Sequence, residues 1–136
     1  MTNSSTQLAI LSDPAEVPVL QDRLLSLCSD AGLDDLAAFQ LTCAIVEAVN
    51  NCIEHAYGGE PGHPISLLWR RSPDAVTVEI RDQGRSMPTS PMETSAIPEV
   101  NAESGRGWHI IHEWTDAATY TTEADSNLLT LTRRLS

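Results

Sequence analysis

The sequence contains no lysine; all eight of its basic residues are arginines. That absence excludes two large classes of chemistry in their usual forms. A P-loop nucleotide site needs a lysine on the phosphates, and a Schiff-base enzyme needs a lysine amine. Positive charge of any kind is scarce. Nineteen acidic residues give a formal net charge of −11 and a pI near 4.5. Nucleic-acid binding is driven largely by cationic neutralisation of phosphates, so DNA and RNA are not expected as partners, and neither is an anionic membrane surface. Aromatic residues are few (one Phe, two Tyr, three Trp), which makes any core mainly aliphatic. No uninterrupted apolar run approaches the ~18 residues of a membrane helix. The opening MTNSSTQLAI has no basic segment leading into a long apolar one, so no secretory signal is expected. Cys28, Cys43 and Cys52 are odd in number and form no C-x-x-C pattern. They are expected as free, mostly buried thiols in a reducing cytosol.

What is present suits one ordinary domain spanning residues 1–136, with 41% hydrophobic residues to fill a core. Residues 6–12 alternate loosely and suit a first strand. Asp13, Pro14 and Glu16 form a capping-box-like start to a helix carrying Val17, Leu20, Leu24, Leu27 and Cys28 at helical spacing and ending at Gly32. A second helix is predicted from Asp34 or Asp35 to about Tyr57, with Leu36, Phe39, Cys43, Val46, Val49 and Ile53 as its apolar side. Gly58-Gly59 and Pro61-Gly62 stop it. Residues 64–71 and 75–82 read as strands around a turn at 72–74; the second alternates Val76, Val78 and Ile80 with Thr77, Glu79 and Arg81. Residues 84–107 carry three prolines and no period, and a loop of that length is usually a functional lid or disordered. A short helix over 108–115 and a hairpin of 117–123 with 127–135 complete the chain. Strands and helices mix without alternating as a parallel array does, so the expected class is α+β with a mainly antiparallel sheet.

The second helix raises a question. Glu47, Asn51 and His55 stand four apart, with Asn50 and Glu54 beside them, so polar side chains form a band along one side. A solvated helical face usually carries Lys, Arg and Glu, whereas asparagine is a mediocre helix former. A carboxylate with an amide one turn away can hold hydrated Mg²⁺, or a water or hydroxyl. Two further stretches are suggestive only in company. In DQGRSM (82–87) an Asp leaves a strand and a Gly follows one residue later; alone this is most simply a turn. In SGRGWHII (104–111) two glycines and Arg106 precede a helix, whose exposed N–H groups attract phosphate. His109 and His112 have no third ligand nearby and read as surface residues.

Taken in order, E-x-x-x-N on a helix, D-x-G after a strand, a long loop and G-x-G into a helix resemble the GHKL ATP-binding superfamily. With EAVNNCIEHAYGG (47–59) the chain looks most like the anti-sigma-factor serine/threonine kinases within it. The resemblance runs from about Leu41 to Arg134. It implies the Bergerat fold, a two-layer sandwich of a mixed, mainly antiparallel sheet and about three helices, with an ATP lid over about 84–107. It implies ATP and Mg²⁺ as ligands. Matched position by position, Glu47 is the general base, Asn51 binds Mg²⁺, Asp82 accepts from the adenine amino group, and Gly84 lies beneath the base. Met87 packs on adenine, Gly105 and Gly107 line the phosphates with Arg106 between them, and His55 falls at the common His after the Asn.

The sequence also departs from the family. Ser86 replaces the second Gly of D-x-G-x-G, Trp108 stands where Leu is usual, and Asn127-Leu128-Leu129 replaces a Gly-Thr-Thr whose Thr approaches the adenine and the Asp. The activity implied is a cytoplasmic protein serine/threonine kinase acting as a partner switch on an antagonist of the anti-anti-sigma type. A sigma factor is a further candidate partner, and a homodimer is compatible with this reading. Two alternatives stand beside it, a nucleotide-regulated binding module without catalysis and the catalytic domain of a histidine kinase. The second of these ranks last, because no helix with a phosphoacceptor His is read before the domain.

Overall fold

Alternation of apolar and polar residues builds the larger layer. In the computed structural model, which describes residues 3–86 and 109–135, five strands form one sheet: β1 (Ser4–Leu11), β2 (Pro64–Arg71), β3 (Ala75–Asp82), β4 (Ala117–Thr122) and β5 (Asn127–Arg134). Their spatial order is β1-β2-β3-β5-β4, and all four pairings are antiparallel. The expected parallel component is therefore not seen among the described residues. Because side chains alternate across a sheet, β3 turns Val76, Val78, Ile80 and Asp82 to one buried face. The register extends that face into rows. Leu8, Leu67, Ile80, Leu129 and Tyr120 lie side by side across the sheet, and the next row runs Ile10, Ile65, Asp82, Asn127 and Thr122. A carboxylate and an amide thus stand where the pattern calls for core residues.

Helices cover this face. Asp13 accepts from the Ala15 N–H at 3.0 Å, and Glu16 accepts from the Leu11 N–H at 3.0 Å. These two side-chain bonds fix the start of a 3₁₀ turn, Pro14–Glu16, so that the α-helix proper, α1, is Val17–Ala31. Gly32 closes α1 in the left-handed region, with φ 92°. In α2 (Asp35–Asn51), Asp34 caps by accepting from the Ala37 N–H at 2.8 Å. A last short helix, α3, spans residues 109–114.

The buried side of α2 differs from the one its large residues suggest. Leu41, Ala44, Ile45, Ala48 and Val49 face the core, whereas Leu36 and Phe39 are 65% and 54% exposed and Cys43 and Val46 are only half-buried. Of the expected face, Val49 and Ile53 alone are fully buried. The physical reason is close approach. A helix lying flat on a sheet needs small side chains at the contact, and alanine supplies them without adding to a hydrophobic count. Phe39 instead meets Trp114 of α3, ring centroids 5.9 Å apart. By length and composition Asp35–Ala56, 22 residues with hydropathy 1.4, could cross a membrane; here 56% of its most apolar window is buried inside the fold.

Candidate functional site

The site grows from the point where α2 ends. The helix does not run evenly to Tyr57. After Asn51 it widens into a π-helical turn, Cys52–Ala56, in which the Tyr57 N–H reaches back to the Cys52 carbonyl at 3.0 Å. Such turns are rare and cluster at functional sites. The i→i+5 bonding rotates the following residues off the α-helical face, so the four-residue spacing of Asn51 and His55 does not stack them as expected. His55 lies half-buried within this turn.

β3 and the turn after it pack directly on the π turn. The Arg85 N–H donates to the Ala56 carbonyl at 2.8 Å. A Cβ placed on Gly84 would lie 2.3 Å from that same oxygen and 2.8 Å from the Ala56 Cβ. Glycine at this position is thus required by the protein's own backbone contact. Tyr57 ties the other side. Its hydroxyl donates to the Pro64 carbonyl at 2.6 Å and accepts from the Gln83 N–H at 2.7 Å, while its ring stacks on His63.

Asp82 is the centre of this region and is only 6% exposed. Its Oδ1 accepts from the Gly84 N–H at 2.9 Å and from Asn127 Nδ2 at 2.7 Å; its Oδ2 faces the Cys52 thiol at 3.4 Å. Burial first, then the Asp82 charge and the hydrogen bond to it, push the Cys52 pKa well up, so the thiol stays protonated and can donate. Asn51, Cys52 and Ala48 from the helix, Ile80 and Asp82 from β3, and Leu129 from β5 line one small cavity, with Arg85 and Tyr120 at its wall. Its volume is about 20 Å³, roughly room for one water.

Asn51 is 6% exposed, and its Nδ2 is the one buried side-chain polar atom without a hydrogen-bond partner among the described residues. A buried amide nitrogen without a partner costs about 1–3 kcal/mol, which makes Asn51 a candidate ligand-binding residue. A half-turn of the amide would present Oδ1, the type of oxygen Mg²⁺ accepts. One helical turn earlier, Glu47 is half-buried. Its carboxyl pKa is raised, chiefly by burial and secondarily by the charge of Glu54.

The structure therefore brings Asn51, Asp82 and Gly84 to one corner and sets Glu47 a turn away along α2, off the cavity wall. Met87, Gly105, Arg106, Gly107 and most of the expected lid lie outside the described residues, as does Trp108. His109 pairs with Glu113 at 3.4 Å. Sequence reasoning missed Cys52 and Tyr57, and it read Asn127 only as the start of the stretch that replaces Gly-Thr-Thr; the β3–β5 register sets its amide opposite Asp82.

No curated protein matches the chain. Residues 10–133 match the histidine kinase-like ATPase domain, in keeping with the resemblance to the GHKL superfamily and with the α+β sandwich. That match covers nearly the whole chain, from β1 to β5, and the protein belongs to the family of histidine kinase-like ATPase domains.

Proposed function

We propose that the chain is an ATP-dependent protein serine/threonine kinase that works as a partner switch, phosphorylating an antagonist of the anti-anti-sigma type. The family supplies the coarser half of this statement, an ATP-binding kinase-like ATPase domain. The observation that favours catalysis at this site over nucleotide binding alone is Glu47. A half-buried carboxylate with a raised pKa, one turn from an unpaired buried amide, suits a general base better than a structural residue.

Phosphoryl transfer asks a protein mainly for positioning and charge stabilisation. Asp82 accepts a hydrogen bond from the amino group of the base, and the small cavity beside it forms the inner end of the base site. Asn51 would hold Mg²⁺ through its amide oxygen. Mg²⁺ held there would supply neutralisation of phosphate charge. Glu47 accepts the proton of a serine or threonine hydroxyl on the partner. The hydroxyl oxygen then forms the new bond to the γ-phosphorus as the bond to the ADP oxygen breaks. With a net charge of −11, the chain's own surface gives no reason to seek nucleic acid as that partner.

Incubation with γ-labelled ATP, Mg²⁺ and a candidate antagonist tests the reading. Acid-stable phosphate on a serine or threonine of the antagonist is expected. Acid-labile phosphate would point to histidine as acceptor. ATP binding that changes partner affinity without transferring label would point to a nucleotide-regulated binding module.

A further inference from the structure

Asn127, the first residue of the stretch that replaces the family's Gly-Thr-Thr, stands behind Asp82 at the edge of this corner. It is 2% exposed and directly opposite Asp82 across the β3–β5 ladder. Its whole amide is engaged. Nδ2 donates to Asp82 Oδ1 at 2.7 Å, to the Gly84 carbonyl at 3.1 Å and to the Arg85 carbonyl at 3.3 Å; Oδ1 accepts from the Ser86 hydroxyl at 2.6 Å. A buried amide so fully paired holds one orientation, and through it the carboxylate is held too.

The two oxygens of Asp82 are unequal. Each has two lone-pair directions. Oδ1 meets two N–H donors, from Asn127 and Gly84, and is saturated. Oδ2 meets the Cys52 thiol at 3.4 Å, a weak donor, and keeps accepting capacity. If Asn127 did not hold Oδ1, the carboxylate plane could turn, and the direction of the free lone pairs on the outer oxygen would no longer be set before a ligand arrives.

We propose that Asn127 is the positioning residue for base recognition: by saturating Asp82 Oδ1 it fixes Oδ2 as the acceptor for an exocyclic amino group, so that the cleft selects 6-amino over 6-oxo or unsubstituted purines. A 6-oxo base would set acceptor against acceptor. This inference rests on the reading of the cleft as an ATP site. It also explains how the chain manages without the threonine that the family pattern places near this position.

The test pairs a protein change with a ligand change. Wild type, Asn127→Leu and Asn127→Asp are titrated calorimetrically with ATP and with purine riboside triphosphate, which lacks the 6-amino group. Wild type is expected to favour ATP about tenfold or more, the scale of one hydrogen bond to a charged group. Asn127→Leu, checked for folding by its thermal transition, is expected to lose about tenfold on ATP and little on the analogue, so the preference collapses. Asn127→Asp guards against a leucine variant that does not fold. Two carboxyls at this spacing share one proton, so its ATP preference should persist at low pH and fade as pH rises and the shared proton leaves. The wild-type preference should stay level, since the ratio cancels the titration of the phosphates. The Cys52 thiol and the Tyr57 hydroxyl beside Asp82 are both pushed upward, by burial first, away from this range, and Arg85 lies at the cavity wall. Equal losses on both nucleotides in Asn127→Leu, or a pH-independent preference in Asn127→Asp, would overturn the inference while leaving the ATP site standing. Wild type that binds neither nucleotide would overturn the ATP reading, and the inference with it.

Discussion

Replacing Gly84 with alanine separates two explanations of the D-x-G motif. On the sequence alone, the glycine lets a ligand approach the backbone, and Gly84→Ala should weaken ATP binding while leaving the free protein as stable as before. The structure gives a different ground. The added Cβ would sit 2.3 Å from the Ala56 carbonyl oxygen and 2.6 Å from its carbon, where real contacts do not fall below 3.0 Å. Neither partner is a flexible side chain, so the end of β3 and the π turn must part by most of an ångström. Overpacking of this kind costs about 1–3 kcal/mol. The Arg85 N–H bond to the same oxygen, now 2.8 Å, would be stretched toward the limit of a hydrogen bond, adding about 1 kcal/mol. The sum, roughly 2–4 kcal/mol, corresponds to a fall in Tm of roughly 10 °C for a chain of this length. Thermal and urea unfolding of the nucleotide-free protein, followed by circular dichroism, measures it. A loss under about 0.5 kcal/mol, the scale of an ordinary surface substitution, would refute the packing argument, and if ATP binding still fell, the ligand-approach explanation would replace it.

The remaining predictions concern the α2 side of the site. Glu47→Gln should slow phosphotransfer ~10²–10⁴-fold, the usual contribution of a general base, with ATP and partner binding retained; near wild-type transfer in a label assay would remove Glu47 from this role. The same variant should melt higher than wild type at neutral pH. The raised Glu47 pKa, from burial and then Glu54, means the folded state holds this proton more tightly than the unfolded chain, so ionised Glu47 opposes folding above that pKa, and the gap in Tm should close as pH falls toward the ordinary glutamate value of about 4.3. Glu54→Gln should shift the acid limb of the phosphotransfer–pH profile to lower pH, yet leave it above the ordinary glutamate range because burial is the larger cause; an unmoved limb would count against the coupling. Asn51→Ala should abolish Mg²⁺-dependent ATP binding in calorimetry but change the stability of the free protein by no more than about 1 kcal/mol, since the amide nitrogen it removes has no partner to lose.

Strict alternation made the central strands legible. β2 and β3 occupy the residues expected from the pattern, 64–71 and 75–82, and the carboxylate at the end of β3 could be located from that alternation alone. The helix boundaries at Asp34 and Gly32 were also readable, because capping and left-handed backbone are local chemistry. What was not legible depends on contacts between distant residues. The buried face of α2 was misjudged because Ala44 and Ala48 contribute by being small, whereas Leu36 and Phe39 drew attention by being large. The π turn leaves no mark in composition. Asn127 stood out in the sequence only as part of a departure from Gly-Thr-Thr; that its own amide pairs with Asp82 became visible once the sheet register placed the two side by side.

The polar residues of this corner do not suit stability. In the row that holds them, Ile10 and Ile65 show what the sheet would accept at 82 and 127. Two apolar side chains there would pack without desolvating a carboxylate, and replacing buried polar pairs in this way is often neutral or stabilising. Asn51 adds an unpaired amide, Glu47 a charge that opposes folding above its raised pKa, and Cys52–Ala56 an uncommon helical turn. A fold satisfied by packing alone would scatter such departures or pair them. Here Asn51, Asp82 (backed by Asn127) and the first residue of the π turn meet at a cavity of about 20 Å³, with Glu47 one turn away on the same helix. Sequences tend to break local rules where function requires it, and the side chains involved are of the kinds needed to recognise a base, hold a metal and accept a proton. The convergence of these departures supports the proposed nucleotide site at this corner more firmly than any one of the three short motifs does by itself.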